Sequence, residues 1–226
     1  MLSSLLKGVS GRNITSGVDS IDAWNVQDKN GNKIFYVDTV NDKVYGGKNK
    51  TELNLNTQIF SLSGNLTANT HTGMNLGGGG KSSTGSSPAF GTGTNPAVSY
   101  TITSTGDDLL FCLFYVPVNI IITKAWGFSS SNGTVTGDNH VFHLMKYDFD
   151  FTNGNATSGD LTNGKVIADH TATIADATNA AIDSLALTVD TKSQLVTAGQ
   201  VVMGMTNDSG SGNNANTRLE FVYYYE

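Results

Sequence analysis

The chain has 226 residues, a formal net charge of −6 and 14% charged residues, while Thr, Gly, Asn and Ser together fill 97 positions. Gly, Asn and Ser are poor in helix interiors and Thr suits strands, so a mostly helical fold is excluded, and a hydrophobic fraction of 38% argues against wholesale disorder. The acidic balance argues against a general nucleic-acid binder, no apolar run nears the roughly 20 residues of a membrane-spanning helix, and a single cysteine makes no internal disulfide framework.

At the N-terminus Leu2, Leu5, Leu6 and Val9 carry the i, i+3, i+4, i+7 stripe of a short amphipathic helix. Lys7 follows the leucines and the apolar stretch is short, so the segment does not read as a secretory signal. The stripe fits either a frayed terminus or a peptide that orders against a partner. We take residues 1–20 as a docking arm, with these four side chains as its contacts.

Residues 24–46 hold two β-prone units. Asn30-Gly31 between Trp24-Asn-Val-Gln and Lys33-Ile-Phe-Tyr-Val-Asp is a hairpin signal, because both turn residues tolerate positive φ. A second turn at residues 40–42 leads into Lys43-Val-Tyr-Gly-Gly. The units repeat with an offset of ten, aligning Asp28 with Asp38, Lys33 with Lys43, Ile34 with Val44 and Phe35 with Tyr45. Strands this short cannot bury both faces alone, and other copies of the chain are the expected cover. The expected trimer-packing residues are Trp24, Ile34, Phe35, Val44 and Tyr45, joined by Phe221 and Tyr223 from the last strand.

Between Thr51 and Asn75 apolar residues alternate briefly and then slip phase, which reads as short or intertwined strands. The run from Gly77 to Asn95-Pro96, rich in Gly, Ser, Thr and Pro, reads as a linker over 77–97. Residues 1–81 carry a net charge of +2 and residues 82–226 a net charge of −8, which suits an inner docking end and an outer solvated end. Beyond the linker the expected strands are 98–104, 109–117, 119–128, 139–147, 164–168, 183–189, 200–206 and 216–225, separated by Asn-Gly and Ser-rich turns. Eight short strands predict a β-sandwich of jelly-roll type. In Leu109–Val116 both faces are apolar, so that strand is expected to be covered on two sides. The closing Arg218–Glu226 strand has aromatic groups on both faces, which predicts a neighbouring subunit.

Catalytic and ligand motifs fail in detail. Gly77-Gly-Gly-Gly-Lys81-Ser82 lacks the leading Gly of a phosphate-binding loop, since position 75 is Asn, and Ser, Gly and Pro rather than a helix follow it. Asp28-x-Asn30-x-Asn32 opens like a calcium loop, but its sixth position is Lys33 and its twelfth Thr39. His140 and His143, three apart on a predicted strand, project to opposite faces, and His71 and His170 lie far away in sequence. Cys112 reads as a buried apolar side chain and Asp107-Asp108 as a turn pair. Trp126, Tyr147, Phe149 and Phe151 read as packing groups before sugar platforms. No catalytic residue, cofactor or metal ligand is assigned.

The Trp24-Asn-Val-Gln-Asp…Gly31-Asn-Lys-Ile-Phe…Lys43-Val-Tyr-Gly pattern resembles a short β-repeat of tailed-phage fibre and virion-surface proteins. Tyr115-Val-Pro-Val-Asn-Ile, His143-Leu-Met-Lys-Tyr-Asp, Leu161-Thr-Asn-Gly-Lys-Val-Ile-Ala and Leu195-Val-Thr-Ala-Gly-Gln-Val-Val are similar to β-sandwich modules of phage structural proteins. These are strand-and-turn patterns covering about half the chain. Some phage fibres end in an intramolecular chaperone with a Ser-Asp-x-Arg-Leu-Lys signature, of which only Arg218-Leu219 is present. The resemblance implies a homotrimer attached to the virion by its N-terminus. The expected protein is all-β and non-enzymatic: arm 1–20, intertwined trimeric β-stem 21–76, linker 77–97 and jelly-roll-like head 98–226. The expected role is a capsid cement or decoration protein, or short head fibre, on the virion surface. Its arm would hold the major capsid protein or another virion protein, with no nucleic acid or membrane as partner. The alternative is a tail fibre or receptor-binding protein whose loops 129–139 and 207–216 contact a host surface glycan. A polysaccharide depolymerase lacks a carboxylate set.

Overall fold

Two aspartates set the first turns. Asp28 accepts hydrogen bonds from the Asn30 and Asn32 amides at 2.8 and 2.9 Å and from Asn32 Nδ2 at 2.8 Å. Asp38 does the same for Val40 N, Asn41 N and Asn41 Nδ2 at 3.1, 3.0 and 2.8 Å. These side-chain turns are the physical content of the ten-residue repeat and of its calcium-loop likeness. They connect β1 (Trp24–Gln27), β2 (Lys33–Asp38) and β3 (Lys43–Gly46), which with β4 (Thr51–Glu52) form an antiparallel sheet in that order.

In the computed structural model the described residues are 23–41, 43–46, 51–52, 55–77, 87–102, 109–131, 139–150, 160–170, 174–175, 182–208 and 214–226. The chain is all-β and divides into two units, residues 1–55 and 56–226. Leu2, Leu5, Leu6 and Val9 of the expected arm lie outside the described residues.

The second unit begins with β5 (Asn56–Asn65), β6 (Thr72–Gly73) and β7 (Asn75–Leu76), then a 3-10 turn at Leu109–Cys112. There follow β8 (Phe114–Tyr115), β9 (Ile120–Ser131), β10 (Asn139–Phe149), β11 (Leu161–Asp169), β12 (Ile174–Ala175) and β13 (Ile182–Val189). The unit closes with β14 (Leu195–Val196), β15 (Gln200–Asp208) and β16 (Asn214–Tyr225). Their hydrogen bonds run in one path, β6-β15-β10-β11-β13-β9-β16-β5-β7, with β12, β14 and β8 attached at β10, β9 and β15. The path folds over at the β11–β13 pairing, so β15-β10-β11 faces β13-β9-β16-β5.

The facing layers bury Phe60, Leu62, Ile122, Phe142, Leu144, Val202, Leu219 and Phe221 between them. Glycines let the layers approach. A Cβ on Gly127 of β9 would lie 2.5 Å from the Phe142 ring on β10, and one on Gly204 of β15 would lie 2.8 Å from Phe60 on β5. The other face of β15 and β10 carries Val201, Met203, Met205, Met145 and Tyr147. It is covered by Phe90, Leu109, Cys112 and Leu113, which form a second core.

This arrangement corrects four expectations. The sequence predicts a stem over 21–76, yet the unit boundary falls after Leu55, because β5 pairs along its length with β16, Phe60 beside Leu219 and Leu62 beside Thr217. The sequence predicts a linker over 77–97, yet Phe90 is buried, its amide donates to His71 O at 2.7 Å, and Ala89 bridges to Thr72. Residues 78–86 lie outside the described residues. The strand expected at 109–117 is a 3-10 turn followed by a two-residue strand, with Leu110 and Phe111 at 71% and 64% exposure, so only one side is covered. Of the strand expected at 98–104, the described residues 98–102 form only a bridge between Tyr100 and Leu161.

Candidate functional site

In the N-terminal sheet, Trp24 pairs with Val37, Val26 with Phe35, and Val37 with Val44, so these five share one face. Trp24 meets Phe35 edge-on at 5.3 Å. Trp24 is exposed and the other four are only half-buried, so among the described residues this apolar face has incomplete cover. The opposite face stacks Tyr36 on Tyr45 at 4.7 Å and leaves Ile34 45% exposed. Of the expected packing residues, Trp24, Phe35 and Val44 therefore share a face, and Ile34 and Tyr45 lie on the other. The ten-residue offset puts equivalent residues on opposite faces.

Phe221 and Tyr223 do not belong with them. Both are buried in the chain's own core, where Phe221 stacks on Phe60 at 5.9 Å and Phe114 packs against both rings. Their expected role in trimer packing is withdrawn, since β5 and β8 already cover them.

All four histidines lie on adjacent strands or beside them. His140 Nε2 is 3.8 Å from Asp208 Oδ2, both side chains fully buried, across a paired position of β10 and β15. His71 meets His143 edge-on at 4.9 Å, and its Nε2 lies 2.9 Å from Gly93 O. His170 Nε2 accepts the Phe142 amide at 2.8 Å. Both ring nitrogens of His143 are buried without a hydrogen-bond partner. Burial, reinforced by repulsion from His71 and His170, pushes His143 down to about 3, and burial lowers His71 and His170 as well. Among the described residues no three His, Cys, Asp or Glu side chains converge in a metal-binding arrangement.

Cys112 is buried with its thiol 3.5 Å from Asn75 Oδ1. Tyr147 is buried and donates to Ala97 O at 2.8 Å, so it is no sugar platform. Trp126, half-buried, lines a shallow groove with Lys124, Leu187 and Gln194. Asp107, Asp108, Phe151, residues 132–138 of loop 129–139 and residues 209–213 of loop 207–216 lie outside the described residues.

A groove of about 580 Å³ opens where β10, β11, β14 and β15 meet the Val98 segment. Lys146, Lys165 and Lys192 line it with Asp148, Asn163, Thr197 and Gln200. Sequence reading missed it because its members come from separate elements. The one available signal was the Asn163-Gly164 pair. No protein-family model matches the chain, and no curated protein sequence does.

Proposed function

We propose that the chain is a non-catalytic structural protein of a tailed-phage virion surface that assembles as a homotrimer. One observation carries the self-association: the face formed by Trp24, Val26, Phe35, Val37 and Val44 is apolar and, among the described residues of its sheet, incompletely covered. Other copies supply the missing layer, as an intertwined stem would. The all-β second unit, with β16 held between β5 and β9 by non-sequential antiparallel pairing, suits a jelly-roll-like outer head. The virion assignment draws on the resemblance of residues 24–46 and of the strands around Tyr115, His143, Leu161 and Leu195. Within the particle the role we favour is capsid cement or decoration, or a short head fibre. The arm at residues 1–20 would bind the major capsid protein or another virion protein.

Deleting residues 1–12 tests this. The trimer is expected to persist while incorporation into particles is lost, and unchanged incorporation contradicts the docking role. Particles lacking the protein are expected to lose capsid stability to heat. Loss of host adsorption with intact capsids would instead favour a tail fibre that contacts a host glycan.

A further inference from the structure

The lysine-lined groove is the most constructed polar feature among the described residues. Residues 82–226 contain only five basic side chains, and Lys146, Lys165 and Lys192 meet at this one groove in an otherwise acidic half. Asp148 in the lining and Asp190 beside Lys146 and Lys192 offset two of these three charges, and the remaining single positive excess is what an entering anion meets.

The walls are fixed before any ligand arrives. Asp148 accepts from Gln200 Nε2 at 2.8 Å through Oδ1 and from Asn163 Nδ2 at 2.7 Å through Oδ2. Thr197 N donates to Gln200 Oε1 at 3.0 Å, and Lys146 Nζ donates to Leu195 O. The Gln200 and Asn163 bonds hold the Asp148 carboxylate below its usual range, with Lys165 and Lys146 assisting. Each Asp148 oxygen keeps a lone pair for a further donor.

The backbone is distorted at the same place. The β10–β11 register shifts between Lys146 and Asp148, leaving Asn163 and Gly164 opposite Tyr147 as a bulge. Asn163 takes φ 53°, and a Cβ on Gly164 would collide with the Tyr147 ring and the Val98 backbone. Bulges and left-handed non-glycine residues re-aim side chains and collect at binding sites. Here the bulge turns the Asn163 amide onto Asp148 inside the groove.

We propose that this groove binds a hydroxyl-bearing carboxylate of the uronic-acid type. Lys165 and Lys192, both exposed, hold the ligand carboxylate, and Asp148 accepts from a ring hydroxyl. Asn163 adds a second polar contact, and Val98 and Leu195 supply an apolar rest for the ring. A bare phosphate fits less well, since it brings a larger negative charge beside Asp148 and few hydroxyl donors. The volume lies within the range of small-ligand sites. The assignment does not depend on the virion reading.

Isothermal titration calorimetry of the full chain at low salt tests it, with trigalacturonate, galacturonate, maltotriose and sodium phosphate as probes. Trigalacturonate or galacturonate is expected to bind saturably with a Kd at or below about 1 mM. Tighter binding of the trimer identifies a polysaccharide source, and equal binding a free sugar acid. The double variant Lys165→Glu, Lys192→Glu, at exposed positions that leave folding intact, is expected to weaken binding at least tenfold. Asp148→Asn is expected to reduce saccharide binding while leaving the salt dependence in place. Absence of binding, equal binding of maltotriose, equal binding of phosphate, or full affinity in the double variant would each overturn the proposal.

Discussion

His143 makes the stability of the second unit depend on pH in a range where carboxylates are still ionised. Its ring is buried with neither nitrogen partnered, facing His71 beside β6 and His170 after β11, with His140, Thr206, Asn207 and Asp208 on the strands around it. Its folded pKa of about 3 lies below the ordinary value of 6.5. The unfolded chain therefore takes up a proton as pH falls through 6.5, and the folded chain does not. Stability from this group is complete above pH 6.5 and is lost progressively as pH falls toward about 3. Between pH 7 and pH 5 the linkage for this one group amounts to about 2 kcal/mol. His71 and His170 shift in the same direction and add to the loss. Urea unfolding at pH 7 and pH 5, followed by tryptophan fluorescence and circular dichroism, reads the difference. His143→Leu removes the two orphaned nitrogens and should cut the pH 7-to-5 loss by about 2 kcal/mol. Unchanged pH dependence in His143→Leu, or a flat profile in the parent chain, would refute the reasoning.

Three further outcomes are expected. Phe60→Ala, which empties a site between β5, β16 and β15, should cost about 3–5 kcal/mol in urea unfolding. Gly127→Ala forces the Phe142 ring to shift and should cost about 1–3 kcal/mol, whereas a neutral result would mean the layers are further apart than described. Leu110→Ser with Phe111→Ser should change stability by less than about 0.5 kcal/mol per site, since both side chains face outward; a large loss would restore the two-sided strand that sequence reading expects there.

Legibility in the sequence followed the local signals. Long alternating or continuously apolar runs such as Ile120–Ser131, Asn139–Phe149 and Gln200–Asp208 were readable as strands, because period and turn residues act within a few positions. What failed depended on distant partners. Phe90 sits in a Gly- and Pro-rich stretch that reads as a linker, and only the apolar outer face of β10 and β15 explains its burial. Leu109–Tyr115 has the composition of a strand covered twice, but the second core needs only Leu109, Cys112 and Leu113. Phe221 and Tyr223 read as trimer-packing residues because their cover is distant: β5, which stacks on Phe221, lies some 160 positions earlier by the register Gln58 to Phe221. The His cluster and the lysine groove likewise draw mostly on neighbours in the β6-β15-β10-β11 run that lie far apart in the chain, so apart from Asn163-Gly164 local spacing carried no trace of them.

The central claim is that the N-terminal sheet lacks a complete core of its own and obtains one from other copies. Sedimentation equilibrium of the full chain at micromolar concentration tests it most directly, alongside Val37→Asp, which charges the apolar face. The account predicts a parent species of three times 23.8 kDa and a Val37→Asp species shifted toward one copy. A parent chain that sediments as a single 23.8 kDa copy with an intact N-terminal sheet would contradict it.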